Sequence, residues 1–303
     1  MIRALIITAA LAGPACATAK ALEVQLVTEG VWAIVGEKEQ RSPENLANNA
    51  TFGLVVTDEG AVLIDPGGSW KGAEALHAVI GSVTAQPVLY VINTGGQDHR
   101  WLGNGYWQAQ GATVIASQAA VVDQRNRASI QLTVLSQLIG DALEATEPVY
   151  ANLTFAETYT LELGGLNIEI VHPGAAHTPG DSFVWIPDRD VVFTGDIVYV
   201  ERILGVGDKS SIADWPAAFK AIEATGADHV VPGHGHTTTM ERARADTYDY
   251  LVNLRAQIGS LIDEGGGIIE APQVDQSTFS YLEQFDSLAG RNAQTAFQQM
   301  EWE

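Results

Sequence analysis

The chain has 303 residues, 46% hydrophobic and 17% charged, an ordinary globular composition with ample material for a core. Lys and Arg number 16 against 37 Asp and Glu, giving a formal charge of −21. That balance excludes a nucleic-acid-binding surface, which needs cations for phosphates, and repels small anions at long range unless a local cation reverses the field.

Met1-Ile2-Arg3, an apolar run over 4–12 and small residues around Ala15-Cys16-Ala17 and Ala17-Thr18-Ala19 form the pattern of a secretory leader. A leader over residues 1–21 predicts a periplasmic or secreted protein, with 22–303 as one domain. Cys16 is the only cysteine, so its removal leaves neither disulfides nor thiolate ligands. No later apolar stretch is long enough to span a bilayer.

Leu22 to Val27 and Val31 to Val35 read as paired strands about a Glu29-Gly30 turn, and 51–57 and 61–64 as a hairpin about Asp58-Glu59-Gly60. Helical spacing over 70–83 precedes a buried strand, 88–92, that runs straight into Asp98-His99. Helices are predicted over 100–110 and 119–140, with a strand over 113–116 between them. The second half repeats the plan, with strands over 155–163, 166–172, 182–186 and 191–193, a helix over 214–224 and a strand over 229–231. A long helix over 238–264 and a helical stretch over 277–299 complete it. Two runs of strands, each followed by helices, predict a layered α/β architecture with two sheets face to face and helices outside.

Four positions carry the chemistry. Asp98-His99 follows a buried strand and precedes a helix. His177 opens His177-Thr178-Pro179-Gly180-Asp181. Asp196 ends a buried strand in Phe193-Thr194-Gly195-Asp196, where an unpaired carboxylate would be costly. His234 stands at a strand end in Pro232-Gly233-His234-Gly235. Imidazoles and carboxylates in this mixture suit Zn²⁺, with Fe²⁺ or Mn²⁺ as alternatives. Read one at a time, Asp98 is equally a helix cap and His177 a hydrogen-bonding remnant.

In this order these residues resemble the metallo-β-lactamase fold superfamily. Asn48-Asn49-Ala50-Thr51-Phe52-Gly53, Asp65-Pro66-Gly67 and Asp214-Trp215 are similar to its periplasmic branch, the quinoprotein relay and sulfur-oxidation-associated hydrolases. The resemblance implies an αββα sandwich, one metal site made by Asp98, His99 and His234 with Asp196 bridging, and a second made by His177 and two further histidines. Those two histidines are absent. Asn93-Thr94-Gly95-Gly96-Gln97-Asp98-His99 stands where such sites read His-x-His-x-Asp-His, so only Asp-His survives. About three protein ligands and an open position make a catalytic zinc site, so one ion is expected.

With one ion, Asp98 or His177 is the candidate general base, Asp65 a residue that holds the loop by hydrogen bonds, and Lys209 a candidate contact for a substrate carboxylate. His236 is expected to face away from the ion, and Trp70, Trp101, Trp107 and Trp185 to pack in the core. The residues leave two functions open. One is a mononuclear hydrolase of an ester, thioester, lactone or amide bond in a small-molecule substrate. The other is a degenerate relative acting as a binding or accessory protein for a periplasmic pathway partner. Iron-based redox chemistry is a third reading of two histidines with a carboxylate.

Overall fold

The computed structural model describes residues 21–303. The leader expected over residues 1–21, apart from Ala21, lies outside them, and so does Cys16.

The first half runs β1 (Glu23–Thr28), β2 (Val31–Val35), β3 (Thr51–Val56), β4 (Ala61–Ile64), α1 (Trp70–Val83), β5 (Val88–Asn93), α2 (Asn104–Ala109), β6 (Thr113–Ser117), α3 (Gln118–Ile139) and β7 (Leu153–Phe155). Its strands form one sheet in chain order, antiparallel from β1 to β4 and parallel from β4 to β7. The second half runs β8 (Thr158–Leu163), β9 (Leu166–Val171), β10 (Phe183–Ile186), β11 (Val191–Phe193), α4 (Trp215–Glu223), β12 (His229–Val231), α5 (Met240–Ala243), α6 (Asp249–Asp263) and α7 (Phe285–Met300). Its sheet has the order β12-β11-β10-β9-β8, with only the β11–β12 pair parallel.

Why the sheets face each other follows from burial. β3 and β4 are buried along nearly their whole length, which requires cover on both faces. Val55, Val62, Ile64, Ile92 and Ile115 of the first sheet share a core with Ile168, Ile170, Val184 and Phe193 of the second. Each such side chain contributes roughly 1.5–3 kcal/mol when fully buried. Gly53 makes room for this contact, since a Cβ there would lie 2.3 Å from the Phe193 ring. Leu76, Ile80 and Trp107 of α1 and α2 cover the outer face of the first sheet. Phe219, Leu254 and Phe297 of α4, α6 and α7 cover that of the second. The expected αββα sandwich is the observed architecture. Among the described residues, no helix is long and apolar enough to cross a membrane.

Three helices differ from expectation. The segment after Asp98 makes a single 3₁₀ turn, Asp98–Arg100, before α2 begins at Asn104, because Arg100 turns inward instead of continuing a helix. The long helix expected over 238–264 is broken by a π turn at Arg244–Tyr248. That turn brings Asp246 to the backbone N–H of Glu201 (2.9 Å) and Thr247 to Tyr199, whose N–H it accepts and whose carbonyl it donates to. A π turn of this kind marks a constrained region, and here it pins the segment after Asp196. The C-terminal helix begins only at Phe285.

Both sheets end at the same rim. Asp65 follows β4, Asp98-His99 follows β5, Asp196 follows β11 and His234 follows β12, so the C-terminal ends of the parallel strands deliver these side chains to one place, where α/β sheets commonly bind ligands. Thr51 ties the halves together there, its N–H donating to Gly233 O (2.8 Å) and its hydroxyl to Gly235 O (2.6 Å).

Candidate metal centre

His99, Asp196 and His234 converge, each offering one ligand atom within 4.8 Å of the others, and all three are buried. His99 Nε2 lies 3.2 Å from Asp196 Oδ2, and His234 Nε2 lies 3.2 Å from Asp196 Oδ1. Gly195 sets the carboxylate in position. Its φ of +51° lies in the left-handed region, and a Cβ there would meet Thr94 Oγ1 at 2.3 Å. Tyr199 stacks on the His234 ring at 4.5 Å and fixes its plane.

Arg100, fully buried, is the keystone beneath the trio. One terminal nitrogen donates to Asp65 Oδ2 (2.7 Å) and Thr51 O (3.1 Å), the other to Asp196 Oδ1 (2.7 Å) and Gly233 O (2.8 Å). Burial works to raise Asp196, but Arg100 and the two histidines hold it well below the usual carboxylate range. Asp65 goes the other way: burial outweighs Arg100 and Thr94 and raises it. Asp65 also bonds the loop, accepting from Thr94 N (2.8 Å) and Thr94 Oγ1 (2.8 Å) from a left-handed backbone with φ +66°.

The donor chemistry fits one divalent ion. Two imidazoles and a carboxylate are a three-ligand set of the kind zinc or iron sites use. Burial lowers His234 well below its ordinary value, so this imidazole is neutral at physiological pH, and its Nδ1 is buried without a hydrogen-bond partner. Three carboxylates, Asp65, Asp98 and Asp196, are paired with two guanidiniums, Arg41 and Arg100.

Asp98 is not one of the three, although its Oδ1 lies 3.3 Å from His99 Nδ1. Its carboxylate is gripped by Arg41, with Nε donating to Oδ2 (2.9 Å) and Nη2 to Oδ1. Burial pushes Asp98 up, yet Arg41 and His99 hold it well below the usual carboxylate range. His177 lies on the pocket wall. Burial lowers it to about 4 against the pull of Asp196, so it is neutral at pH 7, and its Nδ1 lies 3.0 Å from Gly205 O. With that carbonyl as acceptor, Nδ1 carries the proton and Nε2 keeps a lone pair. Lys209 is exposed and absent from the pocket lining. His236 pairs with Glu201 at 2.8 Å, away from the trio.

No second ion has a comparable donor set among the described residues. Thr94 spends its hydroxyl on Asp65. The glycine loop is stitched to polar side chains of α3, with Gln124 Nε2 donating to Gly95 O (3.0 Å) and Gln131 Nε2 to Gly96 O (2.9 Å). A Cβ on Gly96 would lie 1.9 Å from Asp123 Oδ2, which is paired with Arg127. The space for a side chain at 96 is therefore filled.

Over the trio opens a pocket of about 490 Å³. Arg41, Arg202 and Arg291 line it with a single carboxylate, Glu39, a local inversion of sign in a chain of net charge −21. α7 supplies one wall through Leu288, Arg291 and Asn292. Sequence reasoning missed Arg41, Arg100, Tyr199 and Arg202. Only Arg100 carried a signal, as a cation directly after Asp98-His99 in a chain poor in cations.

The family model described as the Metallo-beta-lactamase superfamily matches residues 47–234, more than half of the chain. Two curated relatives are each called Metallo-beta-lactamase type 2. The one from Bacteroides fragilis is 27% identical over 85 residues, covering 27% of this chain and 34% of the relative. The one from Pseudomonas aeruginosa is 29% identical over 91 residues, covering 30% and 36%. This chain thus spans about a third of the length of the curated relatives it matches. Among solved structures, a metallo-beta-lactamase from Pontibacter korlensis superposes with a TM-score of 0.61 at 25% identity, covering 77% of this chain and 99% of that one. The DIM-1 metallo-beta-lactamase does so with a TM-score of 0.59 at 20% identity, covering 76% and 96%, a likeness of fold alone.

Proposed function

Since this chain belongs to the metallo-beta-lactamase superfamily, we propose that it is a mononuclear metal-dependent hydrolase of an ester, thioester, lactone or amide bond. The convergence of His99, Asp196 and His234 carries the reading. A divalent ion held by these three, zinc first, would supply a Lewis acid for the substrate carbonyl. Arg100 anchors the Asp196 carboxylate so that Oδ2 faces His99 and Oδ1 faces His234. Tyr199 orients His234. His177, neutral and held by Gly205 O, keeps its Nε2 lone pair to accept a proton from an attacking water. Arg202 and Arg291, which line the pocket, favour an acyl substrate that carries a carboxylate.

The branch we favour is the periplasmic quinoprotein relay and sulfur-oxidation-associated one, on the Asn48 to Gly53 run and the leader-like N-terminus. Arg41's hold on Asp98 favours a second reading, an accessory protein without turnover that serves a partner in such a pathway. Elemental analysis of the purified chain, beside His234→Ala, and hydrolysis of aryl esters separate the two. About one ion per chain and turnover, both lost in His234→Ala, are expected of the hydrolase. Metal without turnover, or turnover indifferent to His234→Ala, refutes it.

A further inference from the structure

Arg41 makes contacts that a metal ion would also need. Its Nη2 reaches Asp98 Oδ1 and lies 3.0 Å from His99 Nδ1, while its Nε takes Asp98 Oδ2 at 2.9 Å. A guanidinium has no lone pair, so where Arg41 donates to His99, Nδ1 is the acceptor; Asp98 Oδ1, 3.3 Å from the same nitrogen, is the rival partner that would take an Nδ1–H instead. With Arg41 as the partner of Nδ1, the ring proton belongs on Nε2, the nitrogen that faces Asp196 Oδ2 at 3.2 Å. An imidazole that ligates through Nε2 needs the opposite tautomer, with Nδ1–H donated to a carbonyl or carboxylate. Ligation through Nδ1 would be blocked directly by the guanidinium. Either way, the arginine and the ion compete for His99, and they compete openly for Asp98.

We propose that Arg41 is a latch that excludes the metal, so that ion binding and the Arg41–Asp98–His99 contact are alternative states of the site. The proposal rests on the hydrolase reading only through its premise that His99, Asp196 and His234 hold a divalent ion. In the latched state Asp98 and His99 satisfy a guanidinium. In the loaded state Arg41 leaves, His99 changes tautomer and Asp98 becomes available as a fourth ligand. The structure gives the latch room to move. Arg41 lies between β2 and β3, outside any strand or helix, its side chain is 16% exposed, and it lines the 490 Å³ pocket into which it would swing. Glu39, on the same loop and the same pocket wall, offers the released cation a carboxylate.

The test reads zinc, not turnover. Full-length chain stripped with a chelator is titrated with Zn²⁺ against a chromogenic zinc chelator, for wild type, Arg41→Met, Asp98→Asn, the double variant and His234→Ala. Arg41→Met is expected to bind zinc at least about tenfold more tightly than wild type, the scale on which groups around metal ligands act. Adding Asp98→Asn to it should remove most of that gain, whereas Asp98→Asn alone should shift the affinity far less than His234→Ala. Equal or weaker zinc binding by Arg41→Met overturns the latch, and so does a loss in Asp98→Asn as large as in His234→Ala. Zinc binding by no variant overturns the latch together with the metal premise. A chain that shows the expected titration but no esterase activity refutes the hydrolase and leaves the latch standing.

Discussion

Replacing Arg100 by Met keeps most of the side-chain stem and removes every donor. Two carboxylates, each about 1% exposed, then face one another without their shared cation, and Thr51 O and Gly233 O each lose one donor as well. Breaking a buried ion pair by removing one partner costs about 3–5 kcal/mol. Here two pairs break at once, but the loss is cushioned. Asp65 retains Thr94, and Asp196 retains His99 and His234. The expected loss is therefore at the upper end of about 3–5 kcal/mol, a large part of the roughly 5–15 kcal/mol of a typical domain. Urea unfolding at pH 7, followed by the fluorescence of buried Trp101, Trp107 and Trp215, should show the midpoint falling with little change in slope. Arg100→Lys should lose somewhat less, since a positive charge remains, but it should still lose stability because one ammonium cannot fork between two carboxylates. Asp65→Asn added to Arg100→Met should restore part of the stability by removing a buried charge. A loss below about 1 kcal/mol, or no rescue by Asp65→Asn, would refute the keystone role.

Introducing a histidine by Gly96→His should not create a second metal site, because the new Cβ would fall on Asp123 Oδ2; zinc per chain is expected to stay at or below the wild-type value, with a lowered urea midpoint. Asp181, buried beside Thr178 and raised to about 8 by burial and by Asp196, binds its proton more tightly folded than unfolded. Its contribution is complete below the unfolded pKa of about 4 and is lost as pH rises through about 8, so wild type should weaken relative to Asp181→Asn between pH 5 and pH 9. A stability difference independent of pH would rule this out. Arg202→Gln should raise KM for an aryl ester with a carboxylate on its acyl group and leave KM for the uncharged acetate ester nearly unchanged, as measured by initial rates. Equal effects on both esters would mean that Arg202 supports the pocket without reading charge.

The αββα order was legible because short apolar runs, turn residues and helical spacing are local signals, and two repeats of strands followed by helices leave few ways to bury both sheets. Asp98-His99, Asp196 and His234 were legible because each follows a buried strand, and parallel strand ends meet at one rim. That the loop before Asp98-His99 offers no imidazole was legible as well, since residues 93–97 contain no histidine. What the chain order could not give was the state of the charges. Arg41 is 57 residues from the carboxylate it holds, and Arg100 spans 35 and 96 residues to its two. Nothing in local composition encodes such pairs; they exist because folding removes water and leaves each buried charge to find its partner. The break in the expected 238–264 helix has the same origin, since the π turn is held by contacts to Tyr199 and Glu201 across the second half of the molecule. The sequence by itself determined which side chains reach the rim. Tertiary structure decided which of them remain open to an ion, because that depends on long-range competition among buried charges for the same few atoms.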